Sequence, residues 1–225
     1  MVGLILFDCD GTLVDSQHVI VETMNRAFRA EGLTPPSPES TKTIVGLSLE
    51  VAMGELVPDR DDAVHRRLAE AYKEEFTRLR LDGDFAEPLY EGALTVLDKL
   101  SAADILLGVA TGKSLRGLRM VLEHHRIRDR FVTLQTADFN PSKPHPAMVE
   151  TAMRETGVAP SATWLIGDTS FDMEMAVAAG VRPIGVDWGY HPTEDLHRAG
   201  AEVVLDRFEQ LLDLVEHNLG TCAPT

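Results

Sequence analysis

Six short apolar runs, each cut off by a polar or small residue, dominate the chain at 2–7, 105–110, 131–134, 163–166, 183–186 and 202–205. Runs of this length without polar alternation suit strands covered on both faces, as in a parallel sheet. Helical apolar spacing fills the gaps at 92–102, 114–126, 146–155, 171–179 and 192–199. Strand and helix in alternation require right-handed crossovers. The predicted fold is therefore α/β: a doubly wound, Rossmann-like parallel sheet with helices on both faces.

One interval breaks the rhythm. Residues 16–85 carry no convincing strand, only helical patterns at 19–30, 49–56 and 63–79, punctuated by Pro35-Pro36-Ser37-Pro38 and Val57-Pro58-Asp59. The interval is long enough for a small core of its own. It reads as an α-helical domain, 16–85, inserted into a core formed by 1–15 and 86–225, with hinges at Asp15-Ser16 and 81–88. Extra helices packed on the sheet are the alternative. Residues 218–225 read as a loose tail.

At 225 residues, 44% hydrophobic and 25% charged, the chain can bury a core without disulfides. Its formal net charge of -15 opposes a nucleic-acid partner, whose phosphates demand Lys and Arg. A small phosphorylated metabolite stays compatible, because a bound metal sets the local field. The two cysteines, Cys9 and Cys222, form no disulfide framework and suit a reducing compartment. Cys9 reads as a small filler rather than a nucleophile. No signal-peptide pattern opens the chain, and its apolar runs are too short to span a bilayer. A cytoplasmic protein without a membrane partner is expected. Oligomeric state, monomer or homodimer, is not legible.

Chemistry-bearing residues gather where the apolar runs end. In an open parallel sheet, ligands sit beyond the carboxyl ends of the strands, which is where Asp8 and Asp10 of Asp8-Cys9-Asp10-Gly11-Thr12 fall. Two carboxylates this close repel unless a cation or proton is shared between them. A magnesium ion meets that need and also grips a phosphate oxygen. Gly11 permits a sharp turn that places backbone N–H groups near an anion. The competing reading is an acidic surface turn with a helix cap.

Further pieces stand at other strand ends. Thr111, followed by Gly112, offers a hydroxyl and backbone N–H groups to a phosphate, or simply caps a helix. Lys143, in Ser142-Lys143-Pro144-His145-Pro146, places an ammonium in a rigid setting where it could offset the charge of nucleophile and phosphate. A solvated loop lysine is the ordinary alternative, and His145 reads as a loop or cap residue. Asp168 could complete the magnesium site, with Asp172 one turn further orienting Lys143 or a water. Capping of the helix near 171 is compatible with both roles.

Taken in order, Asp8-Cys9-Asp10-Gly11-Thr12, Thr111, Lys143, and Gly167-Asp168 with Asp172 resemble the motifs of the haloacid dehalogenase-like hydrolase superfamily over nearly the whole chain. The helical insertion between the first two motifs, with Phe7 and Leu13-Val14-Asp15-Ser16, is similar to the phosphoglycolate phosphatase and β-phosphoglucomutase branch. The resemblance implies a magnesium-dependent phosphatase that hydrolyses a small organic phosphomonoester through an aspartyl-phosphate. Asp8 would attack phosphorus, and Asp10 would protonate the leaving alcohol and then activate water. Magnesium would rest on the carboxylates of Asp8 and Asp168 and on the backbone carbonyl of Asp10. Thr111 and Lys143 would hold the phosphoryl group, with backbone contacts from Gly11, Thr12 and Gly112. A helical cap would close over the site to exclude water.

Dehalogenases of the superfamily lack an acidic residue at the place of Asp10, so carbon–halogen cleavage is disfavoured. A phosphomutase and a pyrophosphatase on the same scaffold stay open. The loop 43–49 resembles the specificity loop of the branch around Gly46, but Leu49 stands where sugar-phosphate mutases tend to place an arginine. Lys42 is the nearest basic residue of the insertion and a candidate contact for an anionic substrate group, or a solvated helix lysine. Two readings come from other classes. A signalling receiver places its acceptor later in the sheet and carries no such insertion, and a non-catalytic phosphate-binding module has no use for two repelling carboxylates.

Overall fold

The computed structural model describes residues 2–82 and 86–220. The hinge residues 83–85, Cys222 and the tail from 221 lie outside them. The six apolar runs form six strands: β1 (Leu4–Phe7), β2 (Leu106–Thr111), β3 (Phe131–Thr136), β4 (Thr163–Gly167), β5 (Arg182–Val186) and β6 (Val203–Leu205). All pairings are parallel, in the order β3-β2-β1-β4-β5-β6. The chain builds outward from β1 through β2 to β3, then returns to lay β4 on the other side of β1. That reversal opens a crevice above the carboxyl ends of β1 and β4, with the tip of β2 alongside.

Between β1 and β2 the chain forms α1 (Gln17–Ala30), α2 (Pro38–Lys42), α3 (Leu49–Leu56) and α4 (Asp62–Asp82). On α1 the buried residues Val19, Ile20, Thr23, Met24, Ala27 and Phe28 make one stripe, the pattern of a helix with a single covered face. That stripe joins Met53, Leu68 and Tyr72 in an apolar cluster separate from those of the sheet. The short α2 departs from the expectation of a proline-rich break. Pro38 occupies the first helical turn, where its missing N–H costs nothing, and Ser37 Oγ accepts from Ser40 N at 3.1 Å.

The remaining helices are α5 (Ala93–Ala102), α6 (Leu115–His124), α7 (Ala147–Thr156), α8 (Ser170–Ala178), α9 (Thr193–Arg198) and α10 (Gln210–Gly220). Side-chain alternation along β1 sends Ile5 and Phe7 to one face, where Val96, Leu97, Leu118, Leu122 and Leu211 of α5, α6 and α10 cover them. Leu4 and Leu6 face Met148, Val149 and Met175 of α7 and α8 on the other. Each such buried side chain contributes roughly 1.5–3 kcal/mol, so the fully buried β1 fixes the place where its polar continuation, Asp8, must emerge. The expected loose tail from 218 begins too early. α10 runs to Gly220, and Asn218 Nδ2 donates to Leu214 O at 2.9 Å. Among the described residues no helix is long and apolar enough to cross a membrane.

Candidate active site

Asp8 extends the ladder one step past β1 by donating its N–H to Ile166 O of β4 at 2.9 Å. The chain then turns sharply: Gly11 N donates to Val14 O, and Leu13 N and Val14 N donate to Cys9 O. The carbonyl of Asp10 is left out of that set. Gly11 has φ +86, and a Cβ there would collide with Asp168 Oδ2 and the Tyr190 ring. The tips of β1 and β4 therefore approach as closely as a glycine backbone permits.

Asp8, Asp168 and Asp172 are buried, with one carboxylate oxygen of each within 4.8 Å of the others. Their partners differ. Asp172 is fully engaged: its Oδ1 takes Lys143 Nζ at 2.6 Å, and its Oδ2 takes Thr169 N at 3.1 Å and Thr169 Oγ1 at 2.6 Å. Asp168 accepts Thr12 Oγ1 at 2.7 Å and Tyr190 N at 3.0 Å. Lys143 Nζ lies 3.0 Å from Asp8 Oδ1, an ion-pair distance. Yet both Asp8 oxygens are buried without a well-angled hydrogen-bond partner among the described residues.

Burial pushes the Asp8 carboxyl up to about 6; Lys143 opposes the shift, and Asp172 and Asp10 add to it. Asp168 is also pushed well up, by burial first and then by Asp8 and Asp172. Burial works against the charge of Lys143, but Asp172 and Asp8 outweigh it and hold the ammonium charged. Asp8, Asp168 and Asp172 together offer hard oxygen atoms close enough to hold a metal ion, and those of Asp8 are the least engaged among the described residues. Asp172, its oxygens already taken, is placed to orient Lys143 instead.

Asp10 is gripped differently. Lys113 Nζ sits 2.7 Å and 3.1 Å from its two oxygens and 3.1 Å from Glu87 Oε1. Ser16 Oγ donates to Asp10 Oδ1 at 2.6 Å, and Arg80 holds the other Glu87 oxygen at 2.7 Å. Ser16 and Glu87 lie on the two connections that tie the α1–α4 helices to the sheet. Sequence reasoning passed over Lys113, Ser16 and Glu87 as site residues. Lys113 stands two residues past Thr111, so the strand-end rule that singled out Thr111 reaches it. Glu87 carries no local signal.

Thr111 is buried at the tip of β2. At Gly112 a Cβ would lie 2.5 Å from Gly46 O, so the α1–α4 helices close directly onto this turn. Ser48 N, donating to Ser142 Oγ at 2.8 Å, ties the same loop to the segment before Lys143. The closed arrangement roofs a cavity of about 870 Å³ whose wall includes Asp8, Asp10, Gly46, Thr111 and Gly112. Thr12, Lys143, Asp168 and Asp172 are buried around Asp8 rather than on that wall. Lys42, half-buried at the end of α2, is not among the lining residues. Cys9 is buried and its thiol is pushed well up by burial and then Asp10, which keeps it protonated as a filler. His145 Nδ1 accepts from Ala147 N at 3.2 Å and caps α7.

Comparison with known proteins places these features in context. Residues 5–186 match the family described as haloacid dehalogenase-like hydrolase. The chain is 32% identical over 216 residues to the "Probable phosphatase IndB" of Dickeya dadantii, across 94% of this chain and 93% of that one. It is 30% identical over 224 residues to a phosphoglycolate phosphatase of Photobacterium profundum, across 96% of both. A crystal structure described as a predicted phosphatase from Clostridium acetobutylicum shares the fold, with a TM-score of 0.86 at 23% identity over 96% of this chain and 99% of that one.

Proposed function

The chain belongs to the haloacid dehalogenase-like hydrolase family, and from that premise we propose that it is a magnesium-dependent phosphatase acting on a small organic phosphomonoester with Asp8 as its nucleophile. The observation that carries this reading is the Asp8 carboxylate itself: buried at the tip of β1, on the cavity wall, with both oxygens lacking a well-angled donor among the described residues. A buried carboxylate left in that state is costly. It is what an incoming phosphoryl group and a cation would satisfy.

In the first step an Asp8 oxygen attacks phosphorus while the ester P–O bond breaks. Asp10 gives its proton to the departing alcohol, which leaves neutral. In the second step Asp10 takes a proton from water as the water attacks the aspartyl-phosphate, releasing inorganic phosphate and restoring Asp8. Lys143 offsets charge beside the nucleophile, and Asp172 keeps that ammonium pointed at Asp8. The Thr111 hydroxyl and Gly112 N–H hold phosphoryl oxygens. Asp8, Asp168 and the Asp10 carbonyl would hold magnesium, which would supply charge neutralisation for the transfer. The inserted helices, 16–85, act as a cap that keeps bulk water out during the first transfer.

The test is hydrolysis of p-nitrophenyl phosphate with magnesium by the native chain and by Asp8→Asn. Turnover should fall to background in the variant and after exhaustive chelation, while the circular dichroism spectrum stays native. Near-native turnover by Asp8→Asn would remove the nucleophile, and full activity after chelation would remove the metal.

A further inference from the structure

Building on the phosphatase reading, we infer that the natural substrate is a phosphomonoester of a bulky, largely apolar alcohol with no second anion beside its phosphate. The first ground is size and lining. With the α1–α4 helices closed onto the core, about 870 Å³ stays open above Asp8, toward the upper end of the roughly 300–1,000 Å³ that accommodates drug-sized ligands. A two-carbon acid phosphate would leave most of that space to water. The helical wall presents Ile20, Met24, Ile44, Leu47, Tyr72 and Phe76. Leu81 of α4, 82% exposed, and Met120 of α6, 37% exposed, also line this cavity. With the apolar helical wall they extend one apolar surface that an apolar ligand would cover.

The second ground is charge. A carboxylate next to the phosphate would need a cation near Asp8 and Thr111. Lys113 occupies that place, but it already holds Asp10 and Glu87. Of the other cations on the wall, Arg80 holds Glu87 and Lys73 holds Glu70 at 2.6 Å. Arg116 is exposed. A second anion would therefore meet Asp10 and Glu87, both buried on the wall. It could recruit Lys113 only by displacing Asp10, the group that protonates the leaving alcohol. An uncharged apolar body meets no such conflict.

The experiment is kcat/KM of the magnesium-loaded enzyme across n-alkyl phosphates from ethyl to octyl, alongside phosphoglycolate and p-nitrophenyl phosphate. The leaving alcohols of the series have nearly equal acidity, so the trend reports burial of the chain. Each buried methylene is worth roughly fourfold, so the rise from ethyl to octyl should be at least about a hundredfold, with phosphoglycolate below butyl phosphate. Leu81→Glu and Met120→Glu, at exposed positions that the fold tolerates, should each raise KM for octyl phosphate about fivefold or more. A flat series, or phosphoglycolate turned over better than octyl phosphate, overturns the inference and leaves the phosphatase reading standing. No turnover of any ester, p-nitrophenyl phosphate included, removes both.

Discussion

Two lysines, Lys143 buried and Lys113 half-buried, flank the carboxylates of Asp8 and Asp10, and their surroundings set them apart. Lys143 lies between Asp8 and Asp172 at 3.0 and 2.6 Å with no exposed side-chain surface. Lys143→Ala strands two carboxylates in a dry site. Breaking a buried pair from one side costs about 3–5 kcal/mol, so urea unfolding without magnesium should show a loss of that order together with loss of turnover. A stability within 1 kcal/mol of native, about the scale of an exposed ion pair, would mean that the ammonium is not paired as described. Asp10→Ala should lower turnover of an alkyl phosphate by roughly a hundredfold or more, the scale of lost acid–base catalysis. An unchanged rate on that poor leaving group would exclude the acid role. At this scale the sequence was most legible where a residue stood at a strand end; Lys143 and Asp172, which do not, were legible as members of the ordered motif set. Asp8, Thr111 and Asp168 stand at the ends of apolar runs, and Asp10 follows two residues after Asp8. Glu87 stands at no strand end and meets Lys113 only in the folded chain, so no local pattern announces it.

At the scale of elements, β1, β2 and β4 were legible because each is a short apolar run almost wholly buried on both faces, while the edge strands β3 and β6 are partly exposed but keep enough apolar residues to be read. Their spatial order was not, because pairing across the sheet depends on contacts distant in sequence. The missed helices have local reasons. α2 is only five residues long and begins at a proline, so its capping signal read as a break. α10 follows the last strand as an amphipathic segment that the reading passed over, although Leu211 and Val215 recur at helical spacing. The start of α8 shows how an element serves the chemistry. Thr169 and Asp172 form a reciprocal capping box, and the Asp172 oxygen not used in it faces Lys143. Thr169→Ala should cost about 1 kcal/mol of stability from the cap. It should also lower kcat more than it changes KM, because Asp172 loses the shorter of the two Thr169 donors that fix its angle and keeps only the backbone N–H. An effect on stability with no change in kcat would confine Thr169 to capping.

At the scale of the whole molecule, the separate cluster of α1–α4 and the sheet clusters meet over one acidic crevice, and binding of magnesium there should register as global stability. The carboxyl of Asp8 is raised in the fold from 3.8 to about 6. Without metal, the contribution from this group is therefore fully favourable below about 3.8 and is lost as pH rises through about 6. Magnesium needs the ionised form, so millimolar magnesium should raise Tm by about 5 °C at pH 7.5 and by progressively less toward pH 5. A shift that is absent, or larger in acid, would contradict a carboxylate metal site. The central claim is that the phosphoryl group passes through Asp8, and mass spectrometry of enzyme quenched in acid during turnover tests it most directly. One phosphoryl group should appear on the peptide containing Asp8 and be absent in Asp8→Asn. Steady turnover with that peptide unmodified and the phosphoryl group on another side chain would contradict it.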